Sequence, residues 1–352
     1  MGRAGWIAAV VMMAMAATTA AQQPAGLPPV LDRYVTDVVR LGASERERLL
    51  AGHPVTRLLD ADESKEVAVF GAVWIDAPRS AYVARVTDIE AFERGGAFRV
   101  TKKISDPPRL EDFDALELPA EDLRALPRCR VGRCDVKLGE AALERFQREV
   151  DWNAPNHADT ANALMRRIAH EYVTNYLAGG NTRLAVYRDS DRPTFVAGEF
   201  ESMVNAMPAI ASYMPDFRRY LLEYPAVNLP GATSFLYWQE TTFGLKPTIR
   251  ISHLTVRESD TETVVGSKMI YASHYFWTGL ELRVLLPDAA RGEGFWFVTV
   301  NRSRSDGLSG FTGFFVRRRV RSEVQNASLA SLQMTRSLLE QSGYERASSV
   351  SR

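Results

Sequence analysis

Glu66-Val67-Ala68-Val69-Phe70-Gly71-Ala72-Val73-Trp74-Ile75-Asp76-Ala77-Pro78 is the stretch on which the fold turns. Val67, Val69, Gly71 and Val73 alternate with Ala68, Phe70, Ala72 and Trp74. Both sets are apolar, the pattern of a strand buried on two faces. Asp76-Ala77-Pro78 ends the strand, and Pro78 is placed to open a helix, where a missing N–H costs nothing. Tyr82, Val86, Ile89 and Phe92 then recur at helical spacing, and Gly95-Gly96 stops the helix.

From Ser234 onward the chain reads as β again. Phe235 to Phe243 and Thr248 to Val256 are strands joined by a turn through Gly244 and Pro247. A second turn at Glu258-Ser259-Asp260-Thr261 leads to Thr263–Leu286, long enough for one bent strand or two, with Gly266 and Gly279 as bulge or bend points. Phe295 to Arg302 alternates large residues. A final helix runs from about Phe315 to Gln341, with Val316, Val320, Val324, Ala327, Ser331, Met334 and Leu338 along one side. Its middle is small: Ala327, Ser328, Ala330 and Ser331. Small residues against a sheet leave room for a cavity, or large sheet aromatics such as Tyr237, Trp238, Tyr271 and Trp277 fill it. Both readings stay open.

Two blocks carry a resemblance. One is the strand followed by Ile75-Asp76-Ala77-Pro78-Arg79-Ser80-Ala81-Tyr82-Val83 and a helix ending at Asp88-Ile89-Glu90-Ala91-Phe92. The other is the antiparallel meander from Ser234 to Arg302 closed by one long helix. Together they resemble the START and polyketide-cyclase superfamily. The resemblance implies an α+β, helix-grip-like fold, a curved antiparallel sheet around a long C-terminal helix. It also implies a deep apolar cavity between sheet and helix for lipids, sterols or polyketides. Residues from about 95 to 230 depart from that family as a large helical insertion, with helices at Leu138–Val150, Thr160–Leu177 and Pro208–Tyr224, the last broken at Pro215.

Before the grip-like part, residues 22–65 form an N-terminal segment, helical over Val30–Leu50. Residues 1–21 read as an export signal. Arg3 gives the positive start, Ile7–Ala17 the apolar run, and Thr18-Thr19-Ala20-Ala21 the small residues for cleavage. The run is too short to cross a hydrocarbon layer of roughly 30 Å. Residues 342–352 read as a disordered tail. The expected location is therefore the periplasm or outside the cell.

Lys and Arg balance Asp and Glu, so the formal net charge is zero and nucleic acid is not an expected partner. The two cysteines, Cys129 and Cys134, lie close together around Gly132. In an oxidising compartment such a pair forms a local disulfide. A zinc site would need two further ligands, and no histidine adjoins the pair.

His253 and His274 are the histidines placed for proton transfer, although neither has a carboxylate at a motif-like spacing. If Gly244 to Pro247 turns the hairpin, Glu240 and Arg250 fall nearly opposite each other and form a pair. Arg302 and Arg304, read as part of a polar loop, suit a carboxylate or phosphate. The ligand-lining set expected from these arguments is Trp238, Glu240, Arg250, Tyr271, His274, Phe276, Trp296 and Arg302. Arg317-Arg318-Arg319-Val320-Arg321 crowds positive charge at a helix start, which suits contact with an anionic membrane surface. His157, Asp159, His170 and Glu171 do not place three metal ligands on one face. No phosphate loop, dinucleotide fingerprint, His-Glu-x-x-His or nucleophile elbow occurs, so no metal, cofactor or catalytic residue is assigned.

Three functions follow as expectations. The first is an exported binder or carrier of an apolar, lipid-like small molecule. The second is an enzyme on the same fold, a cyclase or hydrolase using a histidine or carboxylate. The third is a structural envelope protein that binds a protein partner.

Overall fold

The computed structural model describes residues 26–242, 246–306, 308 and 310–350, the last helix by its side chains over 317–341. The expected export signal, the Gly244 turn and the end of the tail lie outside the described residues.

The strands in chain order are β1 (Val55–Leu58), β2 (Glu66–Ile75), β3 (Phe98–Lys103), β4 (Val186–Tyr187), β5 (Thr194–Phe195), β6 (Ala232–Thr241), β7 (Thr248–Glu258), β8 (Thr263–Ala272), β9 (Phe276–Pro287) and β10 (Phe295–Ser305). Eight form one sheet in the order β1-β2-β10-β9-β8-β7-β6-β3, antiparallel throughout. The long 263–286 stretch is two strands, turned at residues 273–275 with Tyr275 at φ 59°. The α-helices are α1 (Pro29–Arg33), α2 (Ala43–Leu50), α3 (Arg79–Thr87), α4 (Ile89–Phe92), α5 (Ala120–Ala125), α6 (Glu140–Glu149), α7 (His157–Gly179), α8 (Val196–Asn205), α9 (Pro208–Tyr213), α10 (Pro215–Glu223) and α11 (Gly310–Val350). This is a mixed α+β, helix-grip-like architecture. Strand β2 leads into two short helices, β3 closes the far edge, the meander β6 to β10 returns, and α11 follows.

Because side chains alternate along a strand, the sheet has two apolar faces. On one, the grip face, Val73, Leu254, Val265, Leu285 and Phe297 meet Tyr82 and Val86 of α3 and Leu332 and Leu339 of α11. The other face carries two further apolar clusters. The N-terminal helices and α8 to α10 cover β2, β9 and β10 there. The α6–α7 part of the insertion covers β6 and β7.

Three expectations shift. Strand β3 pairs with β6, so the insertion begins after Lys103 rather than near residue 95. The N-terminal helix is broken between residues 39 and 42, where Arg40 takes φ 56°. The line that α11 buries is Ser328, Leu332, Thr335 and Leu339, while Met334 is 70% exposed. Each buried residue lies one position beyond the expected Ala327, Ser331, Met334 and Leu338, a rotation of roughly 100°. Gly71 shows why the helix settles there. A Cβ on it would stand 2.7 Å from Thr299 Oγ1 and 3.0 Å from Leu332 Cδ1. The helix thus lies on β2 where the strand has no side chain.

Gly266 and Gly279 are also close-approach positions. Phe217 would stand 2.6 Å from a Cβ on Gly266, and Met269 would stand 2.9 Å from one on Gly279. The register shifts among the described strands lie instead at Phe98/Val100, Ile251/Ser252 and Arg304/Ser305. The Cys129–Cys134 disulfide is formed. No helix among the described residues is long and apolar enough to cross a membrane.

Candidate functional site

The most unusual chemistry on the grip face is a charge cluster beneath α3 and α4. Glu93 directly follows α4 and is 8% exposed. Strand β9 sends Glu281 and Arg283 to this face, two residues apart and therefore on one side. Gln239 comes from β6, and Arg250 from β7 stands opposite it in register.

Arg283 is gripped at two points by Glu281, Nη2 to Oε2 at 2.7 Å and Nε to Oε1 at 2.9 Å. Its distance to Glu93 is longer, 3.8 Å. Arg250 donates to Gln239 Oε1 at 2.9 Å, and the Gln239 amide donates to the Glu93 carboxylate. Thr101 donates to the Glu93 carbonyl at 2.7 Å, which fixes the chain after α4. Tyr237 and Ser267 share a hydrogen bond of 3.0 Å nearby. The Tyr82 ring packs 4.9 Å from that of Phe297.

Among the described residues two buried donors of the cluster, the Tyr82 hydroxyl and Arg283 Nη1, lack a well-formed hydrogen bond, although the Arg283 guanidinium adjoins the Tyr82 oxygen and acts on it. An unsatisfied buried donor costs about 1–3 kcal/mol, so an acceptor from a bound molecule or water is what such donors call for. Burial pushes the Tyr82 hydroxyl above its ordinary range, so it remains a proton donor. Burial also pushes the Glu93 carboxyl up, against the opposing pull of Arg283 and Arg250. The cluster is not sealed: Arg250 is half-buried and the Glu281 side chain is 32% exposed.

The expected ligand-lining residues do not converge. Arg250 belongs to this cluster. Glu240 pairs one residue out of the expected register, opposite Ile249, and its carboxylate meets Arg99 at 2.7 Å. Trp238 and Tyr271 pack beneath the insertion on the opposite face, where Trp238 donates to the Asp112 carbonyl at 3.0 Å and Tyr271 to the Lys137 carbonyl at 3.1 Å. Buried His274 bonds Asp122 at 2.8 Å, a partner 152 positions away in sequence. Phe276 opens β9 and is half-buried. Trp296 lies in the core under the N-terminal helices, bonded to Asp288 at 3.1 Å. Arg302 and Arg304 are strand residues, 8% and 3% exposed, and both grip Glu66, at 2.6 and 2.9 Å. They hold β10 to β2 and are not part of a solvated loop.

Glu93, Tyr82, Gln239 and Arg283 were missed. One signal was available: Glu281 and Arg283 alternate with Leu280, Leu282 and Val284 in a strand otherwise apolar on both sides. Charges at that spacing inside a doubly buried strand must meet partners on one face. Among the described residues no three His, Cys, Asp or Glu side chains gather as a metal site.

No protein-family model matches the chain, and no curated protein matches it.

Proposed function

We propose that this protein binds a small amphiphilic molecule on the grip face, with its polar end at Arg283, Tyr82 and Arg250. The observation that carries this reading is the pair of buried donors, the Tyr82 hydroxyl and Arg283 Nη1, that the described residues leave without a well-formed hydrogen bond inside a charge cluster. Native proteins satisfy such groups, and a ligand oxygen would do so here. The apolar part of the ligand would follow the wall formed by Leu254, Val265 and Met269 toward α11. The strand order, with two short helices between β2 and β3, supports placing the chain with START-like proteins. The disulfide supports an exported location, since such bonds persist in oxidising compartments.

Native mass spectrometry of protein isolated from cells that make it, followed by organic extraction, tests this. The expected result is one amphiphile per chain, with affinity at least tenfold weaker in Arg283→Met, a change of about 1.4 kcal/mol. An empty wild-type protein that takes up nothing from a lipid extract would overturn the reading and leave the structural role.

A further inference from the structure

The opposite face of the sheet holds a second buried polar cluster that ligand binding on the grip face does not use. Lys268 of β8 and His253 of β7 stand directly opposite each other in register. They are 2% and 4% exposed. Among the described residues no carboxylate forms an ion pair with Lys268. Its amine lies 4.3 Å from the Phe200 ring centre on α8 and 5.2 Å from that of Tyr176 on α7. It donates to the side-chain oxygen of Asn181, in the turn after α7, and to the Tyr176 hydroxyl at 3.4 Å. That hydroxyl is 3.0 Å from His253 Nδ1.

The chain of bonds has a direction. A charged lysine only donates, so the tyrosine oxygen accepts from it and turns its own proton to His253. Nδ1 must then be bare, and His253 neutral. Lys268 and His253 belong to the sheet, whereas Tyr176, Asn181 and Phe200 all belong to the insertion. The chain therefore ties one layer to the other.

We propose that this cluster is an acid-sensitive latch: a proton on His253 Nδ1 reverses the Tyr176 bond, sets a second positive charge beside Lys268, and frees α7 from β7 and β8. Among the described residues the surroundings offer no compensating charge. His253 faces Lys268 from β8, Tyr176 from α7, Tyr220 from α10 and Tyr224 just after that helix, all by hydrogen bond, register or ring contact. Its neighbour on β6 is the apolar Leu236. On α8, Glu199 turns to Lys65 and Arg304. Asp106 acts on Tyr224.

Burial, then Lys268, hold His253 down to about 3, and burial pulls Lys268 down to about 7. Both bases are thus depressed in the folded state, which sets the sign. The histidine's contribution is complete above its ordinary value near 6.5 and is lost as pH falls toward 3. The lysine's contribution is greatest above 10.5 and is lost as pH falls to 7. Acid weakens the docked layer in both windows.

The test is hydrogen exchange of the whole chain from pH 7 to 4.5, corrected for intrinsic rates, with an NMR titration of the His253 ring. Exchange in α7, β7 and β8 is expected to rise at least tenfold as pH falls from 6.5 to 4.5, with β2 and β10 still protected. His253→Gln, uncharged and still able to accept from Tyr176, is expected to flatten that rise. A folded wild-type ring that titrates near 6.5, or exchange in α7 that does not respond to pH, would overturn the latch. The wild-type measurements decide the matter even if the variant does not fold.

Discussion

Gly71 decides where the last helix rests, because any side chain there would collide with Thr299 and Leu332. Gly71→Val is expected to cost about 1–3 kcal/mol through overpacking. Urea denaturation reads this as a lower midpoint at unchanged slope, and an unmoved midpoint would mean α11 does not lie on β2. Glu66 is the second residue with disproportionate weight. Its two oxygens hold Arg302 and Arg304, and all three side chains are almost fully buried. Glu66→Gln leaves buried Arg302 without its anion and Arg304 with Glu199 alone, and a loss of about 3–5 kcal/mol is expected. A thermal midpoint within a degree of wild type would contradict that pairing. Neither role was legible in the sequence. A glycine inside a strand pattern reads equally as a bend or a close approach, and nothing near Arg302 announces a partner 236 positions earlier.

At the scale of elements, the sequence located α11 but set its buried side one residue off. The alternative line is also apolar at Val324, Met334 and Leu338, so periodicity alone has two solutions, and the close approach at Gly71 selects one. Truncation separates them. Leu332→Ala is expected to cost about 2–5 kcal/mol, while Met334→Ala, at 70% exposure, is expected to stay within about 0.5 kcal/mol of wild type. Equal effects at both positions would contradict the orientation of the helix. The disulfide was legible from spacing and Gly132 alone. It closes a separation of only five residues, so replacing both cysteines by serine is expected to cost about 2 kcal/mol at most. A collapse of the whole fold in that variant would show a wider role than fixing a turn.

For the whole molecule, β2, the meander and the closing helix were readable because each carries a local signal: two-sided apolar strands, a Pro78 helix start, and a small-residue stripe on the last helix; the edge strands β1 and β3 were not. The candidate site was not. It is assembled from Tyr82, Glu93, Gln239, Arg250 and Arg283, which only the closed sheet brings together. The aromatic residues that looked like cavity walls serve the insertion interface instead, with Trp238 and Tyr271 packed beneath it. Long-range pairing, more than local propensity, decides which face a side chain of β6 to β9 serves.

The central claim is that ligand binds on the grip face. Photocrosslinking with a diazirine-bearing amphiphile, followed by peptide mapping, tests it most directly. The account predicts label on peptides from β7 to β9 and from α11, lost in Arg283→Met. Label confined to the insertion helices, or spread evenly over the outer surface and indifferent to Arg283, would contradict it.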